Sequence, residues 1–183
     1  MSNGDVEEPD MKSLLLADLE HFGDALLRNE EMGEKRLSFF LTLVTAVIAA
    51  VGALLSEKVQ TTLNVKELVP GALYALLVVG ILTYLRMLQR NAVTDGYIKT
   101  MTHIRCEYAK LAGVDGYNPV KHARRVPALL RAGYAQTVAA ANGGIVLILA
   151  YFVTSSLGAA VTIGLLVTAP LWWFAASLRP PRN

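Results

Sequence analysis

The chain has 183 residues, 54% hydrophobic and 17% charged, with 17 Lys and Arg against 15 Asp and Glu for a formal net charge of +2. Such a balance gives no case for a nucleic-acid partner, because the basic excess lies where the flanks of membrane spans place it. The single cysteine, Cys106, excludes an intrachain disulfide, and no Cys/His spacing of the metal-binding kind occurs, so neither a metal nor another cofactor is expected.

Charge spacing sets the organisation. Leu37 to Ser56 and Leu68 to Leu85 carry no Asp, Glu, Lys, Arg or His, and Ala132 to Leu178 runs uncharged for 47 positions, enough for two crossings and a turn. A helix needs roughly 20 apolar residues to cross the hydrocarbon core of a bilayer. The expected fold is therefore an all-α membrane protein with four transmembrane helices, the first two extended into the cytoplasm as a helical stalk.

Residues 1–10 read as a disordered acidic tail. The acidic lead of 36 residues also differs from the short basic start of a secretory signal. From about residue 11 the pattern is helical: Leu15, Leu19, Phe22 and Leu26 share one face. Gly33 weakens a helix without ending it, so one helix is expected from about residue 11 to Ser56, with its span at about 37–56. The second span, about 68–87, continues through Tyr97, Met101, Ile104, Tyr108 and Leu111, a heptad-like seam ending near Gly113 as a C′ residue. Both charged extensions reach roughly 35 Å past the membrane at 1.5 Å per residue, and residues 11–112 are expected to form an antiparallel pair. The first 36 residues hold ten acids against four bases and Arg86 to Arg131 three against nine, so the outer faces of the pair should complement each other.

Residues 113–131 follow, opened by the loop signals Asp115-Gly116 and Asn118-Pro119. Val120, Val126, Leu129 and Leu130 against Lys121, His122, Arg124, Arg125 and Arg131 make a short basic amphipathic piece. It suits either the membrane surface against anionic headgroups or a phosphate-bearing ligand or acidic partner protein. Residues 132–178 form the second hairpin, and 179–183 a cytoplasmic tail. Ala139, Ala140, Gly143 and Gly144, with Ala160, Gly164 and Thr168, give small-residue patterns that serve an intrachain hairpin or an oligomer interface equally well. Trp172, Trp173 and Phe174 mark the inner end of the last span.

At least 13 of the bases become internal if both termini and the central segment face the cytoplasm, the orientation favoured by positive charge. Polar residues within the spans are the functional candidates, since each needs a partner. Asn142 falls near the midplane and Gln136 shallower by roughly 9 Å. Asn142 either satisfies the Leu166 carbonyl freed by Pro170 or lines a polar path, with Thr42 and Thr45 of the first span as further lining candidates. Catalysis is not expected: His21, His103 and His122 are scattered, the spans hold no charge, and no phosphate loop or nucleophile elbow occurs.

The lead helix entering its span through Glu34, Lys35 and Arg36, and the second span continuing into a polar helix with Tyr97, Ile104, Arg105 and Tyr108, resemble the SLATT class of bacterial membrane effectors. Size and span count also resemble the membrane subunits of Kiwa antiphage systems. The likeness covers residues 11–112 at the level of organisation; the hairpin 132–178 lies beyond the two-span SLATT pattern, and no site residue carries over. The resemblance implies an inner-membrane effector or sensor in bacterial antiviral defence, acting either as a pore or as a signalling subunit, and a homo-oligomer is expected because one four-helix unit encloses no sizeable conduit. A non-conducting anchor that recruits a cytoplasmic partner protein is the alternative, and an assembly factor for another membrane complex the third.

Overall fold

The computed structural model describes residues 10–55, 65–114 and 133–178, whose regular structure is all helical. Helix α1 spans Met11–Leu54, α2 Val65–Leu111, α3 Tyr134–Thr154 and α4 Leu157–Ser177. Each is long and apolar enough to cross a membrane, as the uncharged runs predict. Residues 1–9 of the expected tail 1–10, the expected tail 179–183, and the basic piece carrying Lys121, His122, Arg124, Arg125 and Arg131 lie outside the described residues.

Local chemistry sets the ends of these helices. Asp10 caps α1, its carboxylate accepting from the Lys12 amide at 3.4 Å while the Ser13 hydroxyl donates to the Asp10 carbonyl at 2.7 Å. α1 then runs through the boundary between its charged and apolar halves without a break. α2 stops where expected: Gly113 adopts φ +72°, the Gly113 amide donates to Lys110 O at 3.1 Å, and the Val114 amide donates to Ala109 O at 2.9 Å. This pair of bonds is a Schellman ending, and it requires a left-handed residue that glycine supplies without strain. Ser155 and Ser156 make the turn from α3 to α4, Ser155 at φ 51° and Ser156 capping α4 through the Ala159 amide at 3.4 Å.

α1 and α2 form the expected antiparallel pair, α3 packs on α2, and α4 packs on α3. Residues buried along α2 recur at steps of three or four: Val69, Leu73, Leu76, Gly80, Tyr84, Met87 and Arg90. The stripe continues into the charged halves, where the Phe22 and Tyr97 rings sit 6.0 Å apart and Ile104 and Ala109 are buried. Leu111, expected to close the seam, is instead half exposed. Leu111 stands in the last turn of α2, level with the first residues of α1 by the Gly33–Arg90 contact, where the pair ends.

The small residues of the second hairpin divide between two faces. A methyl group on Gly143 would overlap the Thr168 hydroxyl, and one on Gly164 would lie 3.1 Å from Leu147 Cβ and 3.3 Å from the Gly143 carbonyl. Ala139 and Ala160 are fully buried. These four therefore serve the intrachain hairpin, bringing α3 and α4 close where no hydrophobic drive separates helix from lipid. Gly144 meets nothing within 4 Å, and Ala140 is exposed.

That division predicts opposite outcomes for adjacent substitutions. Gly143→Leu should destabilise the detergent-solubilised protein by about 1–3 kcal/mol through overpacking, whereas Gly144→Ala should change it by less than about 0.5 kcal/mol. Thermal unfolding followed by the fluorescence of Trp172 and Trp173, both on α4, reads the difference.

Candidate functional site

Where the apolar half of α2 gives way to its charged half, Arg90 turns inward instead of toward solvent. Its side chain is 4% exposed. Nε donates to the Asn29 carbonyl of α1 at 2.6 Å, and Nη2 lies 3.0 Å from Glu30 Oε1, paired by charge but off the line of a hydrogen bond. The guanidinium carbon stands 4.8 Å from the centre of the Tyr134 ring, the first residue of α3. Asn29 completes the junction by donating from Nδ2 to the Thr94 hydroxyl at 2.7 Å. One cation thus ties three helices together at one level.

The junction depends on Gly33. A Cβ there would overlap the Arg90 guanidinium, so only glycine lets the arginine lie against the α1 backbone. Glu30, 47% exposed, supplies the counter-charge from the rim. A bare buried cation would cost several kcal/mol in low dielectric, and the carbonyl, the carboxylate and the aromatic face together offset that cost.

The sequence candidates fall into two groups. Gln136 and Asn142 are both fully buried. Gln136 Oε1 accepts from the Gly133 amide at 2.6 Å, closing the start of α3, while its Nε2 has no partner among the described residues. Asn142 does not turn to α4 and Leu166; its amide packs against Gly80 of α2, where a Cβ would overlap it, with Phe40 of α1 alongside. Neither amide atom of Asn142 has a partner among the described residues. On α4, the polar contact next to Pro170 comes from α2, as the Tyr84 hydroxyl donates to the Leu171 carbonyl at 2.6 Å.

Thr42 and Thr45 form the second group. Their hydroxyls donate back within α1, to Ser38 O and Leu41 O, each at 2.9 Å, and both residues are exposed. The structure therefore does not bring them together with Asn142. The sequence reading does not single out Arg90 or Asn29 and takes Gly33 only as a weak point in α1; Arg90 reads as an ordinary span flank, and its inward turn depends on the glycine of the facing helix.

Two glycine substitutions test these close approaches. Gly33→Ala should lower stability by about 1–3 kcal/mol by displacing the guanidinium, and Gly80→Ala by a similar amount by displacing the Asn142 amide. Combining Gly80→Ala with Asn142→Ala should cost less than the two single changes added together, giving a coupling of about 0.5–3 kcal/mol in a double-mutant cycle of unfolding.

No protein-family model, curated protein or solved structure matches the chain, so a functional reading rests on its own residues and on the organisation they build.

Proposed function

We propose that this protein is a homo-oligomeric effector or sensor of the bacterial inner membrane that acts in antiviral defence, with both termini and the central basic segment in the cytoplasm. The observation that carries this reading is the open face of α1. Along its apolar half only Phe40 and Val51 are buried, while Phe39, Leu41, Ile48, Thr42 and Thr45 are exposed. α1 lies at the edge of the bundle, and lipid or further copies of the chain complete its surroundings. One unit of four helices encloses no wide conduit, so a pore needs several copies.

Asn142 is fully buried inside one chain, which leaves Thr42 and Thr45 as the candidates beside a conduit between chains. The defence setting comes from the SLATT-like and Kiwa-like organisation of residues 11–112. Thirteen or more of the 17 bases on one side support the orientation.

A second reading is a non-conducting anchor that recruits a cytoplasmic partner. It is favoured by an apolar groove of about 380 Å³ at the far end of the charged pair, lined by residues including Leu15, Leu19, Ile104, Tyr108 and Val114. In that reading Arg124 and Arg125 contribute to recruitment, and reversing their charge abolishes it without disturbing insertion.

Topology can be read from Cys106, the chain's only cysteine, half-buried on the charged half of α2. A membrane-impermeant maleimide should label it in inverted inner-membrane vesicles and not in intact spheroplasts. For conduction, the purified complex in liposomes should pass ions, and Thr42→Val with Thr45→Val should reduce that flux while the mass in detergent stays unchanged. Flux unaffected by the double change removes this face from the lining, and an assembled complex without flux favours the anchor.

A further inference from the structure

The strip of α2 that meets α3 does not end where α3 begins. Gly80 lies under the Asn142 amide, and Tyr84 reaches past α3 to the Leu171 carbonyl. At steps of three or four the same strip runs on through Asn91 to Asp95, Ile98, Thr102, Arg105 and Ala109. α3 starts with Tyr134, whose ring stands on Arg90, and runs from there toward Gly80, away from the charged half. α1 takes a different side of α2, the seam of Tyr97, Met101 and Ile104. Beyond Asn91, therefore, no described helix covers the strip.

It is enclosed nonetheless. Asp95, Ile98 and Thr102 are half-buried, Ala109 is 8% exposed, and Asn91 Nδ2 is buried without a partner among the described residues. Across the seam Val93, Gly96 and Leu111 are exposed, with Thr100 and Glu107 half-buried. At its far end the strip opens into the apolar groove of about 380 Å³, whose walls include Leu16, Arg105, Ala109 and Val114.

The groove and the junction are also where the chain leaves and re-enters the described structure. Residues 115–132 connect Val114, in the groove wall, to Gly133, next to Tyr134 and hence level with Arg90. From Leu111 to Arg90 the helix descends about 32 Å at 1.5 Å per residue. A helix of residues 119–131 laid flat on the bilayer would leave only the stretch from Val114 to Pro119, a reach of about 17 Å, to make that descent. Lengthwise along α2 the connection is short enough. We propose that residues 115–132 of the same chain fill this strip and groove, packing along α2 from the Val114 end down to the Arg90 junction.

The composition of the segment suits that seat. Val120, Val126, Leu129 and Leu130 offer apolar contact to Ile98, Ala109 and the groove. Lys121, Arg124, Arg125 and Arg131, against Asp115 alone, bring positive charge to a side where Arg105 is the base and the acids are Asp95 on α2 and Glu20 and Glu34 on α1. None of those three acids makes an ion pair among the described residues. Glu20 and Glu34 share the flank of α1 that carries Leu16, at steps of three or four through Gly23, Leu27 and Glu30. Exposed pairs are worth little each, so apolar contact holds the segment and charge selects its side. A groove filled from within the chain is not a free surface for a recruited protein, so the inference competes with the anchor reading for this groove and is independent of conduction.

The test uses the full-length chain in native membranes and its own Cys106, half-buried one turn along from Thr102. With Val120→Cys, oxidation by copper phenanthroline should join the tryptic peptides 106–110 and 111–121 by a disulfide, read by mass spectrometry, in a band that keeps its single-chain position on a non-reducing gel. In a Cys106→Ser background, Val126→Cys with Ile98→Cys should link as well, which covers the case that one variant does not fold. In the same background Val120→Cys with Glu107→Cys, at nearly the same height but about 100° round the helix from Cys106, should link at least several-fold less. Equal linking to both sides of α2, or no link in either strip pair from chains that remain in the membrane, would overturn the proposal. A link that runs as a dimer would give the groove to the segment of a neighbouring copy and overturn the contact within one chain.

Discussion

The structure depends on one arginine lying against one glycine. Arg90 does not reach solvent, and its position one turn beyond the exposed Arg86 places it at the end of the apolar run. A cation there has two options: to snorkel outward along its own methylenes or to find partners inward. It goes inward because the backbone of α1 at Gly33 leaves room for the guanidinium, the Asn29 carbonyl lies 2.6 Å from Nε, and the Tyr134 ring covers one face. Those three groups belong to three points of the chain far apart in sequence, so the contact sets the height of α1 against α2 and the starting level of α3 together. A shift of α1 by one residue would bring a Cβ into the guanidinium and leave a buried charge without its carbonyl, which costs far more than the loss of any one apolar contact.

With the heights fixed at that level, the middle of the bundle is settled by residues that face opposite ways on α3. Asn142 and Gly143 are consecutive, hence about 100° apart around the helix. Asn142 points to Gly80 of α2 and Gly143 to Thr168 of α4. In both places a polar side chain lies on a bare backbone, and α3 acts as the spacer between its neighbours. The Tyr84 hydroxyl then reaches past α3 to the Leu171 carbonyl, so α2 holds α4 by a hydrogen bond as well as through α3. Such contacts suit an apolar solvent, where close approach and hydrogen bonding carry helix association that burial drives in water.

What the sequence revealed and what it hid follow from the range of each signal. Helix extents were legible because their causes are local: uncharged runs, the seam of Leu15, Leu19 and Phe22, and a left-handed glycine at Gly113. The role of Arg90 was not, because as one base among nine in its segment it is indistinguishable from a span flank, and Gly33 reads only as a mild weakness in a helix. Asn142 was marked by its polarity within a span. Its direction was not, since reflecting a residue through a turn gives its depth and says nothing of which side of the helix it occupies. The hydroxyls of Thr42 and Thr45 show the converse: their polarity is met within their own helix, and a sequence does not distinguish a bond to residue i−4 from a group awaiting a partner.

The segregation of charge between the acidic lead and the basic half of α2 does little to hold these two helices together. If the acidic lead and the basic half of α2 served only to hold each other, the seam between them would carry the ion pairs. It carries aromatic and aliphatic contacts instead, with one cross-helix pair among the described residues, where the charged half of α2 meets its apolar half. Two further lysines find their acids within their own helices instead, Lys35 with Glu31 and Lys110 with Glu107, each at 2.7 Å. The Arg90 junction supplies the height at which the two helices meet, so the seam is fixed by one buried cation and by apolar contacts rather than by the many charges outside it.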